Sequence, residues 1–238
     1  MSSISTIITT HGEGELLLVS VQSCNDAVKQ VESLGVSVEK FLVMDRPTKE
    51  TRKAVDECGA SFTVIERDYG DQGLVRNDMV GIAKGDYIAF LDGDDLWSEN
   101  WLADAYNKAQ ELGYDCVLYP EFNWYFEGSN NILCQIDEGR EWFDYEQLRA
   151  VNLWDALCFC PRKVYKENPF IQRNIKEGFA YEDWHWNRQI FEASIPQRIV
   201  EDTIIFKRRR IGSQGSFAQK RGVIAKPSES SYYEFFQY

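Results

Sequence analysis

Three carboxylates stand within four residues at the end of one apolar segment of the chain. The segment Tyr87–Leu91 has the length and character of a buried strand, and Asp92, Asp94 and Asp95 follow it directly. In an α/β sheet, ligands bind outside the carboxyl ends of the strands, so hard oxygen ligands would lie in that crevice. The spacing suits one divalent cation bridging a carboxylate and a phosphate. An acidic turn that only caps the next helix is the plainer alternative.

Two other groups of charged residues also have types and spacing that suit chemistry. Glu182 and Asp183 form an acidic pair at the predicted start of a helix, where simple helix capping is the alternative role. The cluster Lys207–Arg210 has the cations needed to clamp phosphate oxygens, or else it is a solvated edge strand or tail. His11 and His185 have no second histidine at ligand spacing, so we expect both to form hydrogen bonds rather than bind metal.

The elements that must position these residues alternate between strands and helices. Apolar and β-branched runs predict the strands, and amphipathic segments that end at a glycine predict the helices. Such alternation is typical of a parallel sheet with helices on its faces. In the first half we predict strands at 5–10, 36–44, 61–65 and 87–91, and helices at 15–34, 49–58, 74–83 and 98–112, the last with Ser98 as its N-cap.

The second half has a less regular pattern. Residues 121–142 mix aromatic residues with turn signals, which indicates a hairpin or an irregular excursion. A polar tail from residue 212 ends in the aromatic run Tyr232–Phe236. The remaining predictions are strands at 116–119, 157–160 and 198–207, helices near 145–151 and from 181, a helical turn opened by Pro161, and a loop over 168–179.

Composition restricts the possible functions. The 238 residues carry a formal net charge of −12, which argues against binding to nucleic acid. An acidic protein that handles phosphate must concentrate positive charge locally, by a metal or by a few basic side chains. No apolar run approaches the ~20 residues needed to cross a bilayer, and the first ten residues do not resemble a signal peptide. The six cysteines lack paired zinc-site spacing, so we expect free thiols and a cytoplasmic location.

Five blocks in order resemble the inverting family 2 glycosyltransferases of the GT-A fold, over about 5–213. Each block would lie at a strand end or a helix start, and together they are far more specific than any one of them. The blocks depart from the family pattern at His11, Gly12 and Met44. They are Thr9–Gly12, Asp45–Thr48, Leu74–Asn77 with Ala83–Tyr87, Asp92–Trp97 and Tyr181–Trp184.

The resemblance implies one α/β domain of the Rossmann-like GT-A type. Its central sheet would be mostly parallel, with helices on both faces and a small antiparallel region on the acceptor side. Residues 1–112 would form the nucleotide-binding half and residues 113–213 the acceptor-binding half. Residues 214–238 would form a tail that docks on this domain, on a further domain or on a membrane interface.

The resemblance also implies roles for individual residues. Asp94 would bind a divalent metal, Mn²⁺ or Mg²⁺, and Asp183 would be the general base, with Glu182 orienting it or the acceptor. For Asp183 to stay basic it needs an apolar shell, which Trp184 and Trp186 could supply, or the charge of the substrate itself. The expected nucleotide-binding residues are Thr9, His11, Asp45, Arg76 and Asp92, with Asp45 accepting the N3–H of uracil or thymine. The residues expected to close over the diphosphate are Arg208, Arg209 and Arg210, and those expected to stack on the acceptor are Trp124, Trp154 and Trp184.

These roles predict a metal-assisted transfer of one sugar from a UDP- or dTDP-sugar to a glycan or lipid-linked acceptor. By analogy the setting is the cytoplasm, its membrane face or a larger glycan-assembly protein. A sugar-nucleotide nucleotidyltransferase is one alternative, although no cation accompanies the turn Gly12–Gly14, where such enzymes carry one. A non-catalytic carbohydrate- or nucleotide-binding domain of the same fold is the other, supported by the departures from the family pattern.

Overall fold

The computed structural model describes residues 2–210 and 222–226. Its first half alternates strands and helices, as the sequence predicts. The longest helix has 17 residues, and across both described ranges every helix is too short or too polar to span a bilayer. The elements are β1 (Ser3–Thr10), α1 (Leu16–Glu32), β2 (Ser37–Asp45), α2 (Lys49–Cys58), β3 (Thr63–Arg67), α3 (Gln72–Ile82), β4 (Tyr87–Asp92), β5 (Leu96–Trp97) and α4 (Trp101–Leu112).

The second half contains shorter elements and two long strands. The predicted hairpin over 121–142 is present as the antiparallel pair β6–β7. The elements are β6 (Val117–Glu127), β7 (Asn131–Cys134), α5 (Glu146–Ala150), β8 (Phe159–Pro161), α6 (Arg162–Glu167), β9 (Phe179–Ala180), α7 (Glu182–Glu192), β10 (Gln197–Arg209) and β11 (Ile224–Ala225).

Nine of these strands form one sheet in the order β3-β2-β1-β4-β8-β6-β10-β5, with β7 paired to β6. The pairs β3–β2, β2–β1, β1–β4 and β6–β10 are parallel. The short strands β5, β7 and β8 are antiparallel to their neighbours. β9 and β11 form a separate parallel pair. The predicted α/β fold with a mostly parallel central sheet is therefore confirmed.

The central strands β1 and β4 are buried along most of their length because both faces of the sheet are covered there. Ile4, Ile7 and Ile8 of β1 are fully buried, as are Ile88 and Leu91 of β4. β1 and β4 pair in parallel, and the register ends with Thr9 opposite Asp92. The core therefore fixes two strand ends side by side, at the edge of the sheet where ligands bind in this class of fold.

The start of α4 differs from the prediction, because Ser98 is not its N-cap. Leu96 and Trp97 pair with β10, and the Ser98 hydroxyl accepts the backbone N–H of Ile204 at 3.1 Å. The helix begins at Trp101, and its N-cap residue makes no capping bond through its side chain. The distant strand β10 thus binds Ser98, the residue that local propensity assigned to the start of the helix.

The predicted loop 168–179 also contains structure that its own sequence does not signal. A 3₁₀ turn forms at Ile175–Glu177, and β9 pairs with β11. Of the predicted tail 214–238, only residues 222–226 belong to the described part of the chain. The aromatic run 232–236 and residues 211–213, which follow the basic cluster, lie outside it.

Candidate active site

The acidic turn after β4 lies directly against the end of β1. The Gly93 N–H donates to the Thr9 carbonyl at 2.8 Å, and the Asp95 N–H donates to the Asp92 carbonyl at 3.0 Å. A Cβ atom at Gly93 would lie 3.0 Å from the Cβ of Thr10, closer than ordinary packing allows. Any other residue here would push against Thr10, so glycine suits the close approach of the turn to the neighbouring strand.

The three carboxylates of this turn have different environments. Asp95 is buried, with its carboxylate 2.9 Å from the Lys207 ammonium and accepting the Arg208 N–H at 2.8 Å. Burial raises the pKa of Asp95 to about 7, together with the charges of Asp92 and Asp94 and against the pull of Lys207. All three line one cavity, but the Asp95 carboxylate is already bound to the end of β10 through Lys207 and the Arg208 N–H.

The first cavity has a volume of about 320 Å³ and is formed by the ends of β1, β4 and β10. It brings together four of the five predicted nucleotide-binding residues, Thr9, His11, Asp45 and Asp92. His11 Nδ1 lies 2.6 Å from the Asp45 carbonyl, and Asp45 Oδ1 accepts the Tyr69 N–H at 2.7 Å. The Thr9 hydroxyl donates to Asp92 at 3.2 Å.

Arginines 208, 209 and 210 line the same cavity in three different ways. Arg208 Nε donates to the Asp94 carbonyl at 3.1 Å, and the side chain packs over the Phe126 ring. Arg209 is exposed, with its guanidinium 4.1 Å from the centre of the Tyr125 ring. Arg210 donates to Asp94 Oδ2 and to Glu13, each at 2.8 Å.

A second cavity of about 470 Å³ adjoins the first and contains the acidic pair Glu182–Asp183. Gln72, Asp92, Lys207 and Arg209 line both cavities. Tyr181, at the N-cap of α7, has a φ of +60°, a left-handed conformation that costs energy in a non-glycine residue. The chain is thus strained at the point where it turns the first residues of α7 toward the cavity.

The two members of the acidic pair differ in their partners. Glu182 is buried, with its oxygens 3.6 Å from Arg76 and 3.9 Å from Arg173. Asp183 is half-buried and accepts the Asn152 side-chain N–H at 2.9 Å. Burial, reinforced by the charges of Glu182 and Asp155, raises the pKa of Asp183 to about 7. A carboxyl group with that pKa can take up a proton near neutral pH.

Arg76 lies in the second cavity rather than beside Asp45. Its guanidinium is buried between Asp92, 3.4 Å away, and Glu182. Burial opposes its charge, but the nearby carboxylates raise the pKa of Arg76 above its ordinary value. The residue therefore joins the acidic turn of β4 to the start of α7 through a permanent positive charge.

The three tryptophans predicted for the acceptor occupy different positions. Trp184 lines the second cavity and donates its indole N–H to the Leu148 carbonyl at 2.6 Å. Trp154 lines the same cavity but is buried and stacks on Tyr119. Trp124 lies on β6 outside the linings of both cavities. Of the two tryptophans predicted to form an apolar shell around Asp183, Trp184 lines the same cavity as Asp183 and Trp186 is fully buried in the core.

Several polar residues of the site carry no signal in the local sequence. The Lys207 ammonium lies 2.9 Å from Asp95 and from Asp155, and 4.0 Å from Asp92. Burial opposes ionisation of Asp155, but Lys207 outweighs it and lowers the pKa of Asp155. Gln72 donates to Asp92 at 2.5 Å from the start of α3. Of Lys207, Asp155 and Gln72, the sequence singles out only Lys207, because it belongs to a basic cluster.

The donor atoms of the first cavity fit a divalent metal only as an open site. In the described ranges no group of three or more Asp, Glu, His or Cys side chains could hold a metal alone. Asp94 offers a hard carboxylate at the cavity, with one oxygen on Arg210. Mg²⁺-type ions commonly use one or two carboxylates and complete their coordination with substrate phosphates. The residues present fit that arrangement, with Asp94 as the ligand.

Comparison with known proteins gives relatives of one kind. The chain is 23% identical over 225 residues to the glycosyltransferase GlyG of Streptococcus pneumoniae serotype 4, covering 88% of this chain and 72% of GlyG. It is 27% identical over 123 residues to the poly(ribitol-phosphate) β-N-acetylglucosaminyltransferase TarP of Staphylococcus aureus, covering 50% of this chain and 36% of TarP.

A solved structure supports the fold. The S. aureus TarS fragment 1–349 in complex with UDP-GlcNAc superposes with a TM-score of 0.67 at 17% identity, covering 98% of this chain and 64% of the fragment. This chain therefore spans less than two thirds of TarP and of the TarS fragment. The family model of Glycosyl transferase family 2 matches residues 5–173, which is more than half of the 238 residues. The chain accordingly belongs to glycosyl transferase family 2.

Proposed function

We propose that this chain is an inverting glycosyltransferase that moves one sugar from a UDP- or dTDP-sugar to a hydroxyl group of a glycan or lipid-linked acceptor. The observation that carries the proposal is the meeting of two cavities at Asp92. One cavity holds the arginines and Asp94, and the other holds a half-buried carboxyl group, Asp183, whose pKa is raised to about 7. A leaving diphosphate and a proton acceptor would thus occupy opposite sides of one sugar.

The first cavity has the groups needed to hold the donor nucleotide. Asp45 is the proposed acceptor for the base N3–H, while Thr9 and His11 lie along the base and ribose. Arg208, Arg209 and Arg210 provide cations for the diphosphate, which arginine binds through two parallel hydrogen bonds. A divalent metal bound at Asp94 would neutralise the negative charge that develops on the leaving group.

The second cavity supplies the acceptor chemistry. Asp183 is the proposed general base that takes the proton of the attacking hydroxyl, and Glu182 and Arg76 hold the sugar and each other in place. Attack from this side, with the diphosphate leaving on the other, inverts the anomeric carbon. Trp184 offers an aromatic face to the acceptor. UDP-GlcNAc in the TarS structure and the polymeric acceptor in the name of TarP support these substrate classes.

Asp183→Asn tests the proposal because it removes the base and keeps the size of the side chain. We expect the rate of sugar transfer to fall by about 10³-fold, the usual contribution of a positioned general base. Binding of UDP is expected to stay unchanged in calorimetry, since the residues proposed to hold the nucleotide are untouched. A screen of nucleotide sugars that follows release of nucleoside diphosphate provides the assay.

Asp144→Asn is the matched control, because Asp144 is exposed and lines neither cavity. Unaltered turnover in Asp183→Asn would remove Asp183 from the mechanism. Failure of the wild-type chain to bind either UDP or dTDP with Mn²⁺ or Mg²⁺ would favour a non-catalytic domain of the same fold.

A further inference from the structure

A chain of hydrogen-bonded side chains leads from the interior of the protein to Asp183. The Asn152 side-chain N–H donates to Asp183 Oδ2 at 2.9 Å. The Asn187 side-chain N–H donates in turn to Asn152 Oδ1, also at 2.9 Å. The Tyr119 hydroxyl lies 3.0 Å from Asn187 Oδ1 and 2.8 Å from Gln197 Oε1. The series therefore connects β6, α7 and β10 with the segment before β8.

The orientation of each amide in this series is fixed from both ends. Asn187 Nδ2 also donates to the Trp154 backbone carbonyl at 2.8 Å, and a carbonyl can only accept. Asn152 must therefore present its oxygen to Asn187 and its N–H to Asp183. An ionised carboxylate is likewise only an acceptor, so the deprotonated form of Asp183 satisfies the same arrangement.

Burying polar groups costs free energy of desolvation, so a buried series of polar side chains calls for an explanation. Tyr119, Asn187 and Gln197 are fully buried, and apolar side chains of similar size would fill the same space without a desolvation cost. Buried polar networks tend to fix one arrangement of the groups that they join. Here the only member of the series that lines the second cavity together with Asp183 is Asn152.

We propose that Asn152, held by Asn187 and Tyr119, is the positioning residue of the general base. It binds one carboxylate oxygen of Asp183 and so sets the rotation of the group, which leaves the other oxygen to receive the proton of the acceptor hydroxyl. This inference rests on the proposed function. A neutral amide suits the task because a cation at the same distance would favour the anion strongly and make Asp183 a weaker base.

The charged groups around Asp183 affect its pKa and therefore the pH profile of kcat/KM. Glu182 lies beside it on α7, Asp155 lies in the segment before β8, and Arg76 approaches from α3. The other charged residues lining the second cavity are Asp92, Arg173, Lys207 and Arg209. Because Asn152→Ala leaves all of these charges in place, a shift of the profile in that variant reports the lost hydrogen bond, whereas Asn152→Asp also adds a charge.

Asn152→Asp and Asn152→Ala test the proposal. We expect kcat to fall by about 10- to 100-fold, with KM for the donor unchanged because the first cavity is intact. Loss of an N–H that favours the charged form should also move the acidic limb of the kcat/KM profile upward, by about one pH unit in Asn152→Ala. The shift should be larger in Asn152→Asp, where two carboxyl groups share one site.

Asn100→Asp is the matched control, since Asn100 also donates to a carboxylate, that of Asp104, at 2.8 Å and lines neither cavity. It should keep the wild-type kcat and pH profile. Tyr119→Phe removes the hydroxyl at the far end of the series and retains the ring; a smaller loss of kcat, again without a change in KM, is expected.

Folded Asn152 variants with wild-type kcat and pH profile would overturn the positioning role. If the alanine variant does not fold, Tyr119→Phe decides the question, because it adds no charge beside Asp183: a wild-type kcat in that variant would overturn the positioning role. If Asp183→Asn loses transfer but the Asn152 variants keep the wild-type kcat and pH profile, only the positioning role of Asn152 is overturned. If Asp183→Asn keeps the wild-type rate of transfer, the proposed role of Asp183 as the base is overturned as well.

Discussion

Two carboxyl groups on either side of the second cavity show how neighbours set opposite proton affinities. Burial acts against ionisation of both Asp183 and Asp155. Lys207 lies 2.9 Å from Asp155 and lowers its pKa, whereas Glu182 and Asp155 are negative neighbours of Asp183 and raise its pKa to about 7. Such divergence between nearby acids separates a permanent anion from a group that can exchange protons.

This difference predicts that Asp183 destabilises the fold at neutral pH. Its pKa is about 7 in the folded chain against an ordinary 3.8, so between those values the folded state binds a proton that the unfolded state releases. The penalty grows as pH rises through this window and is constant above it. Asp183→Asn should therefore raise the free energy of unfolding at pH 8 by at most about 4 kcal/mol, and hardly at all near pH 4.

Thermal unfolding of the wild-type chain and of Asp183→Asn from pH 4 to pH 8 measures this difference in stability. Asp144→Asn, at an exposed position, should follow the wild-type curve throughout. A stability gain that is the same at pH 4 and pH 8 would show that the effect does not come from the ionisation of Asp183.

At the scale of elements, β10 joins the two halves of the site. Lys207, near its end, faces three carboxylates, and Arg210, the residue after the strand, pairs with Asp94 and Glu13. Burial opposes the charge of Lys207, but Asp155 and Asp95 outweigh it and raise the pKa of the ammonium well above its ordinary value. A single buried cation therefore holds the turn after β4 and the segment before β8 against the same strand.

Lys207→Met should for this reason be strongly destabilising, although methionine has a similar length. Breaking a buried ion pair by removing one partner costs about 3–5 kcal/mol, because the remaining charges stay buried. Denaturant unfolding would measure the loss. Lys163→Met is the control, because the Lys163–Asp115 pair is exposed and such pairs contribute little to stability. Equal stability of the two variants would contradict this role of Lys207.

Local patterns predicted the elements of the first half well, because each strand and helix there is built from one continuous run. The carboxyl ends of neighbouring parallel strands must meet, so Asp92 and Thr9 could be placed together without coordinates. The short strands β5 and β9 could not be predicted, since each exists only through a partner far along the chain. The contacts of Asn152 and Lys207 could not be predicted either, because their partners lie far away in the sequence.

At the scale of the whole molecule, charge decides how a diphosphate can bind. The chain has a net charge of −12, and even the first cavity is lined by five acidic side chains against four basic ones. Arg208 and Arg210 already contact Asp94, so part of this positive charge is engaged within the protein. A diphosphate entering the cavity thus needs additional positive charge, which a divalent metal at Asp94 would supply.

Binding of UDP should accordingly depend on a divalent metal, and that dependence should require Asp94. We expect Mn²⁺ to tighten UDP binding to the wild-type chain by about tenfold or more in calorimetry, and chelation by EDTA to reverse the gain. Asp94→Asn should bind UDP equally with and without Mn²⁺, because the hard anionic ligand is lost. Asp144→Asn should retain the wild-type response to the metal. Equal affinity of the wild-type chain for UDP in Mn²⁺ and in EDTA would mean that Arg208, Arg209 and Arg210 suffice to neutralise the diphosphate.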